Sequence, residues 1–283
     1  MAVLALASIK ASPGVTATAI TLTGVWSLIT PMTVTLLECD PAGGDAAARL
    51  DLPPEPGLVS LAASVRHGAN AADLWQHAHR LPGRRGHVVP GPVGPDQARA
   101  AVRSVADSGL VAELARSGTA MLVADCGRLD PDSVARPVLA QANRVLLVVR
   151  PRTAELAHLA LRLQALRAQL PTTELLLVGA AEYSIKEIIT TLRTPVAAHL
   201  PYDRRGAELI LRQGLSQRRS TRLPLVRACR TLAERLVNAP PPTGDDANRP
   251  AAEPVDATTP PKAWLVGRPM APDDPAQRET TQP

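Results

Sequence analysis

The sequence predicts an α/β protein in which a mostly parallel, twisted β-sheet of about six to eight strands is flanked by helices on both faces. Two observations predict this class. Short apolar runs alternate along the chain with longer segments of helical periodicity. The apolar runs are largely uninterrupted, which is typical of parallel strands that are covered on both faces.

The first strand is predicted at Val3–Ile9, and a loop of small residues and a helix ending near Ser27 follow it. The next strand candidate, Thr33–Cys39, is apolar and β-branched and stops at Asp40-Pro41. Strand, loop, helix and strand in this order form the beginning of a βαβ unit. Four further strands are predicted at Ala120–Ala124, Arg144–Val149, Leu175–Val178 and Val196–Leu200.

Helices are predicted between and after these strands, at Gln97–Arg116, Ser133–Gln141, Thr153–Gln169, Ile185–Leu192 and Leu223–Val237. In the third of them, leucines recur at helical spacing, at positions 156, 159, 163, 166 and 170. This spacing indicates one buried face. The segment Pro82–Pro95 is rich in proline and glycine, and we expect an irregular surface loop there.

The composition divides the chain into a domain at residues 1–238 and a tail at residues 239–283. The tail holds eleven of the 28 prolines and few large apolar side chains. Such a segment buries too little apolar surface to offset the entropy of ordering it, so we expect a disordered tail.

The net charge of +5 is unevenly distributed, because seven acids and four bases in the tail leave the domain with +8. Residues 203–230 alone carry eight arginines against Asp203 and Glu208. Such a segment suits DNA phosphates or an anionic membrane surface. A solvated helix face without a partner is the alternative interpretation.

The cysteine pattern favours a cytoplasmic protein. Cys39, Cys126 and Cys229 are odd in number and far apart, which fits neither structural disulfides nor a zinc site. Residues 11–37 contain no charged side chain, but prolines and a glycine interrupt them, so we do not expect a membrane span. The pair His77 and His79 lacks the spacing and the third ligand of a metal site.

The loop after the first strand has the properties of a phosphate-binding loop. Small residues there let backbone N–H groups close on an anion, and the helix that follows directs its N-terminus at the same point. Thr16 can hold Mg²⁺ through its hydroxyl. The candidate nucleotide-binding residues are Lys10, Ala11, Ser12, Pro13, Gly14, Val15, Thr16 and Ala17.

Two further strands end in carboxylates. Glu38-Cys39-Asp40-Pro41 closes the second strand, and Asp125-Cys126-Gly127 closes the strand predicted at Ala120–Ala124. Ligands in open α/β sheets bind beyond the carboxyl ends of the strands. Carboxylates there can hold Mg²⁺ and orient a water molecule. We therefore predict a metal site formed by Thr16, Asp40 and Asp125.

These motifs resemble those of the ParA/MinD partitioning and positioning ATPases, a family with a deviant phosphate loop, K-G-G-x-G-K-T-T. Lys10 matches the family's signature lysine, Gly14 its glycine and Thr16 its magnesium-binding threonine. Glu38-x-Asp40-Pro41 is similar to the D-x-D-P segment, and Asp125 to the aspartate of the second Walker motif. The resemblance implies a P-loop NTPase-like, Rossmann-like three-layer sandwich.

The chain departs from the family pattern at several positions. Ala11 and Ser12 replace the two glycines that follow the signature lysine. Val15 stands where the family has its phosphate-binding lysine, and valine neither carries charge nor donates a side-chain hydrogen bond. Ala42 replaces the usual glutamine, and Gly179 stands where an asparagine often reads adenine. The resemblance with these departures implies an ATPase that is weak or inactive.

The resemblance further implies ATP and Mg²⁺ as ligands, catalytic roles for Lys10 and Asp40, and a homodimer in which Lys10 reaches the partner's phosphates. We expect a nucleotide-dependent switch that organises DNA, the septum or a pilus or secretion assembly. Its partner would be a partitioning factor or a secretion ATPase, and it would act in the cytoplasm or at the periphery of the nucleoid or membrane. A nucleotide-free scaffold and a DNA-binding accessory protein are the alternatives.

Overall fold

The computed structural model describes residues 2–10, 13–68, 71–82, 86–118, 120–170, 173–213 and 222–238. Eight strands lie in this part of the chain: β1 Val3–Ser8, β2 Val34–Glu38, β3 His79–Arg80, β4 His87–Val89, β5 Met121–Arg128, β6 Arg144–Val149, β7 Thr173–Val178 and β8 Val196–Leu200. They form one sheet in the order β3-β4-β2-β5-β1-β6-β7-β8. All neighbouring strands are parallel except the edge pair β3 and β4. The seven parallel strands therefore end at the same edge of the sheet.

Helices connect the strands and cover both faces of the sheet. They are α1 Val15–Ile29, α2 Ala46–Leu50, α3 Leu58–Ser64, α4 Ala71–Gln76, α5 Pro95–Asp107, α6 Leu110–Ser117, α7 Arg136–Gln141, α8 Thr153–Arg167, α9 Ile185–Leu192, α10 Arg204–Gln213 and α11 Pro224–Asn238, with a short 3₁₀ helix at Val65–His67. Helices α1, α2, α10 and α11 pack on one face of the sheet. Helices α3 to α9 pack on the other face.

Alternate residues of each strand supply the two apolar cores. In β1, Leu4 and Leu6 belong to the core beneath α1, whereas Ala5 and Ala7 belong to the core on the opposite face. Because successive side chains of a strand point to opposite faces, a strand with both faces covered is apolar throughout. This confirms the α/β class with a mostly parallel sheet.

The uncharged segment at residues 11–37 owes its composition to burial of helix α1. This helix packs against α11 and β5, and its Trp26 is completely buried. The hydroxyl groups of Thr21 and Thr23 donate to the carbonyls of Ala17 and Ala19 within the same helix. No helix in the described ranges is long and apolar enough to cross a membrane.

Two predictions of secondary structure were wrong. The predicted helix Gln97–Arg116 is two helices, α5 and α6, because Gly109 between them adopts a left-handed conformation (φ 77°) that ends the helical path. The predicted loop Pro82–Pro95 contains strand β4, whose Val88 and Val89 are buried, and ends at the first residue of α5. The sequence analysis also missed helices α2, α3, α4 and α10.

The histidines that invited a metal interpretation have protein partners. Nδ1 of His77 lies 2.9 Å from the hydroxyl of Ser60, and Nε2 of His79 lies 2.7 Å from the carbonyl oxygen of Pro56. The three cysteines are free and buried. The predicted tail at residues 239–283 lies outside the described residues.

Candidate functional site

A cleft of about 940 Å³ opens at the carboxyl edge of the sheet, where β1, β2 and β5 end. Residues that the sequence marked at three separate strand ends meet there. The proposed phosphate loop contributes Gly14, Val15, Thr16 and Ala17 to the lining of the cleft. The motif after the second strand contributes Asp40. Its other charged residues are Asp45, Arg49, Arg99, Arg103, Arg128, Asp130 and Asp132.

The loop between β1 and α1 is built around Gly14. This residue has φ 96° and ψ 37°, a left-handed conformation that glycine adopts readily. It directs the chain into α1, whose first N–H groups have no partner within the helix. Lys10 is exposed and is not among the residues lining the cleft, and Ala11 and Ser12 lie outside the described residues.

Val15 is a core residue. Only 6% of its surface is exposed, and it belongs to the apolar cluster beneath α1 together with Leu4 and Leu6. A lysine at this position would carry its charge out of an apolar environment into the cleft. The natural side chain therefore contributes to packing and gives the cleft no cation.

Asp125 is completely buried and lies behind the wall of the cleft, next to the lining residues Thr16 and Gly127. Its Oδ1 accepts a hydrogen bond of 3.0 Å from the backbone N–H of Gly127. Its Oδ2 accepts no hydrogen bond of normal length and angle from the described residues. Burial raises the pKa of Asp125 to about 6, although the nearby Thr16 hydroxyl and the Gly127 N–H oppose the shift. A buried carboxylate oxygen without a donor is costly, and a cation at this point would satisfy it.

Asp40 faces the same region from the end of β2. Its Oδ1 accepts a hydrogen bond of 2.8 Å from the N–H of Ala42, and partial burial raises its pKa. The carboxylate lies so close to Gly127 that a Cβ atom there would overlap it. Gly127 also has a positive φ of 57°, so both space and backbone conformation require glycine after Asp125-Cys126.

Glu38 has a role that the sequence analysis missed. Its buried carboxylate accepts hydrogen bonds from the N–H groups of Asp45 (2.8 Å), Ala46 (2.9 Å) and Gly91 (2.8 Å). It thus joins the loop that carries Asp40 to the loop at residues 90–94. Burial, and next the charge of Asp125, raise the pKa of Glu38 to about 7.

Of the four arginines that line the cleft within the described part of the chain, two are neutralised by neighbouring acids. Arg49 contacts Asp45 at 2.8 Å, and Arg128 contacts Asp130 at 3.2 Å. Both pairs are half-exposed, so each contributes little to stability. Their positive charge is nevertheless shared with a carboxylate.

Beside the cleft, the ends of β6, β7 and β8 carry an aromatic contact. Gly179 follows β7 with φ 88°, and the side chain of Tyr202 packs against it. The guanidinium of Arg150 lies 5.4 Å from the centre of the Tyr202 ring. His199 fixes the carbonyl oxygen of Gly179 through a contact of 2.6 Å. Gly179, which stands where the family often has an adenine-reading asparagine, thus offers no side-chain amide.

The donor set fits Mg²⁺ bound together with a nucleotide, rather than a metal caged by protein. Within the described ranges, no three His, Cys, Asp or Glu side chains are arranged to hold an ion. Mg²⁺ characteristically takes one or two protein oxygens and completes its shell with phosphate and water. Thr16 and Asp125 offer oxygens for this purpose.

The same architecture occurs in solved structures of nucleotide-binding proteins. A ParA family ATPase from Chlorobium tepidum superposes with a TM-score of 0.68 at 18% identity, over 82% of this chain and 98% of that one. This chain has the ParA/MinD fold. The septum site-determining protein MinD from Pyrococcus horikoshii, complexed with Mg-ADP, has a TM-score of 0.66 at 15% identity, over 84% and 96% of the two chains.

A third structure with the ParA/MinD fold is the MinC:MinD cell division complex of Aquifex aeolicus, with a TM-score of 0.62 at 14% identity over 86% of this chain and 98% of that one. No protein-family model matches the sequence, and no curated protein is significantly similar to it. The likeness therefore lies in the fold, which the resemblance of the three strand-end motifs to the ParA/MinD family had implied.

The basic segment 203–230 is only partly described, since residues 214–221 lie outside the described ranges. Two of its arginines pair with acids one helical turn away: Arg204 with Glu208 at 3.1 Å and Arg230 with Glu234 at 2.9 Å. Arg205 and Arg227 are exposed. The solvated-face alternative therefore accounts for part of this charge.

Proposed function

We propose that this chain is a nucleotide-dependent switch of the ParA/MinD type, which positions or partitions a cargo and hydrolyses ATP weakly or not at all. The observation that carries the proposal is the completely buried Asp125, whose carboxylate lies within reach of the Thr16 hydroxyl and whose Oδ2 accepts no hydrogen bond of normal geometry from the described residues. Buried carboxylate oxygens usually have a donor, and a position beside the Thr16 hydroxyl next to a polar cleft suits a cation. A bound cation accounts for it.

Each residue of the site has a separate task in this proposal. The N–H groups at the start of α1 bind phosphate oxygens, and Thr16 and Asp125 hold Mg²⁺. Asp40, which is half-buried with its Oδ1 fixed by Ala42, orients the attacking water. Bound Mg²⁺ supplies neutralisation of the charge that develops on the phosphate.

Lys10 acts across a homodimer. It is exposed and does not line the cleft of its own chain, so its side chain is available to the phosphates of a second copy. The nucleotide would thus favour the dimer, and the dimer would bind its partner. DNA, the septum, or a pilus or secretion assembly is the proposed cargo, with a partitioning factor or a secretion ATPase as the partner protein.

One observation favours a nucleotide-free scaffold as the second candidate. Val15 is packed into the apolar core. At the matching position the ParA/MinD family has a phosphate-binding lysine. A DNA-binding accessory protein would instead show a linear fall of log affinity with log salt, and no effect of nucleotide.

Calorimetric titration of the full chain with ATP and Mg²⁺ tests the proposal. A hydrogen bond to a charged group contributes about 1.5–3 kcal/mol, so Val15→Lys should tighten ATP binding about 10- to 100-fold over a weakly binding natural protein. Val15→Ala is the matched control, since it removes packing without adding charge and should not tighten binding. If the natural protein does not bind ATP, the nucleotide-free scaffold is correct, whether or not the folded lysine variant binds it.

A further inference from the structure

The cleft must neutralise a triphosphate without the loop lysine. Asp40, Asp45, Asp130 and Asp132 already line it, and Asp125 lies behind its wall. Adding a polyanion to this group is unfavourable unless cations other than Mg²⁺ approach the phosphates. With Val15 buried, arginines supply all the positively charged side chains that the described residues place in the lining of the cleft.

Helix α5 presents two such arginines. Arg99 and Arg103 are one helical turn apart, exposed, and both line the cleft. Arg99 lies 3.6 Å from Asp96, whose side chain is fully exposed, so the pair is weak. Arg103 takes part in none of the ion pairs formed within the described residues.

The position of α5 is fixed by contacts with the loop that carries Asp40. Just before the helix, the N–H of Gly91 donates to Glu38, and the carbonyl of Pro92 accepts from the N–H of Gly44 at 2.8 Å. Within the helix, the hydroxyl of Ser104 donates to the carbonyl of Ala62 at 3.1 Å. The apolar side chains of Ala98, Ala101, Val102 and Val105 hold its other face in the core. The two arginines therefore project from a fixed base.

We infer that Arg99 and Arg103 bind the terminal phosphates of the nucleotide and do the work of the missing loop lysine. This inference rests on the proposed function. Guanidinium groups bind phosphate oxygens in a bidentate manner, and they remain charged at every physiological pH. In the family pattern the phosphate-binding charge lies in the β1–α1 loop. In this chain it would lie on a helix that packs on the opposite face of the sheet from α1.

Titrations of the full chain with ATP and with ADP, both with Mg²⁺, test the inference. Arg103→Ala should weaken ATP binding about 10- to 100-fold and ADP binding less, because the contact is to the terminal phosphates. Arg103→Lys should retain part of the affinity, since it keeps the charge but loses the bidentate geometry. Arg116→Ala, an exposed arginine of α6 outside the cleft, is the matched control and should change neither affinity.

A double-mutant cycle tests whether the arginines replace the lysine. In the Val15→Lys background, Arg103→Ala should weaken ATP binding less than it does in the natural protein. The introduced lysine and the arginine would then contact the same phosphates. Unchanged ATP affinity in the Arg99→Ala/Arg103→Ala double variant, or an equal loss for ATP and ADP, overturns the inference but leaves the proposed function standing. An equal cost of Arg103→Ala in both backgrounds also overturns it. If the natural protein binds no ATP, the proposed function and this inference fall together.

Discussion

Replacing the buried Asp125 by asparagine exchanges a carboxylate for a neutral group of the same shape. The folded protein raises the pKa of this residue from 3.8 to about 6, so it holds the proton more tightly than the unfolded chain does. The stability gained from that proton is fully present below the unfolded pKa of 3.8. It is lost as the pH rises through about 6.

The shift of about two pKa units corresponds to about 3 kcal/mol, at 1.36 kcal/mol per unit. About 1 kcal/mol or more of this loss falls between pH 5 and pH 8. Asp125→Asn has no titrating group at this position and does not lose this stability. The stability of the variant relative to the natural protein should therefore increase from pH 5 to pH 8. The charge of Asp125 also raises the pKa of Glu38, and removing it adds a change of the same sign.

Urea unfolding followed by circular dichroism at pH 5 and pH 8, without nucleotide, measures the effect. Any packing cost of the amide is the same at both pH values, so the informative quantity is the change in the stability difference between variant and natural protein. Asp132→Asn, at an exposed position of the same cleft, should show a constant difference. A constant difference for Asp125→Asn as well would refute the reasoning.

Two further substitutions test the loop and the close approach of Asp40. Gly127→Ala should destabilise the fold by about 2 kcal/mol or more, because the new Cβ overlaps Asp40 and φ is 57°. Gly118→Ala, with φ 62° and nothing within 4 Å of the new Cβ, should cost only about 1 kcal/mol in thermal or chemical unfolding, and equal costs would contradict the steric account. Lys10→Ala should abolish nucleotide-dependent dimerisation in sedimentation experiments with ATP while leaving the monomer folded. Dimerisation that persists undiminished would mean that Lys10 does not reach the partner.

The sequence predicted those parts of the fold that depend on local pattern. The end of β2 was visible, because its apolar run stops just before Asp40-Pro41. Asp125-Cys126-Gly127, predicted to close its strand, instead lies within β5, which continues to Arg128. Parallel topology then requires such ends to share one edge. Strands β3 and β4 were missed because two and three residues are too few to show periodicity.

The parts of the site that escaped prediction depend on contacts between distant residues. Glu38 receives a hydrogen bond from Gly91, which lies 53 positions later in the chain. Arg99 and Arg103 reach the cleft from a helix on the opposite face of the sheet to α1. In a chain with 28 arginines, no local signal distinguishes these two from the rest.

The hydrogen bonds of Glu38 and Gly44 make the Asp40 loop and the loop at residues 90–94 a single mechanical unit. Val93, at the tip of the second loop, is 73% exposed. Because the two loops share these hydrogen bonds, a substitution that displaced the loop at residues 90–94 would also strain the bonds that hold the loop carrying Asp40.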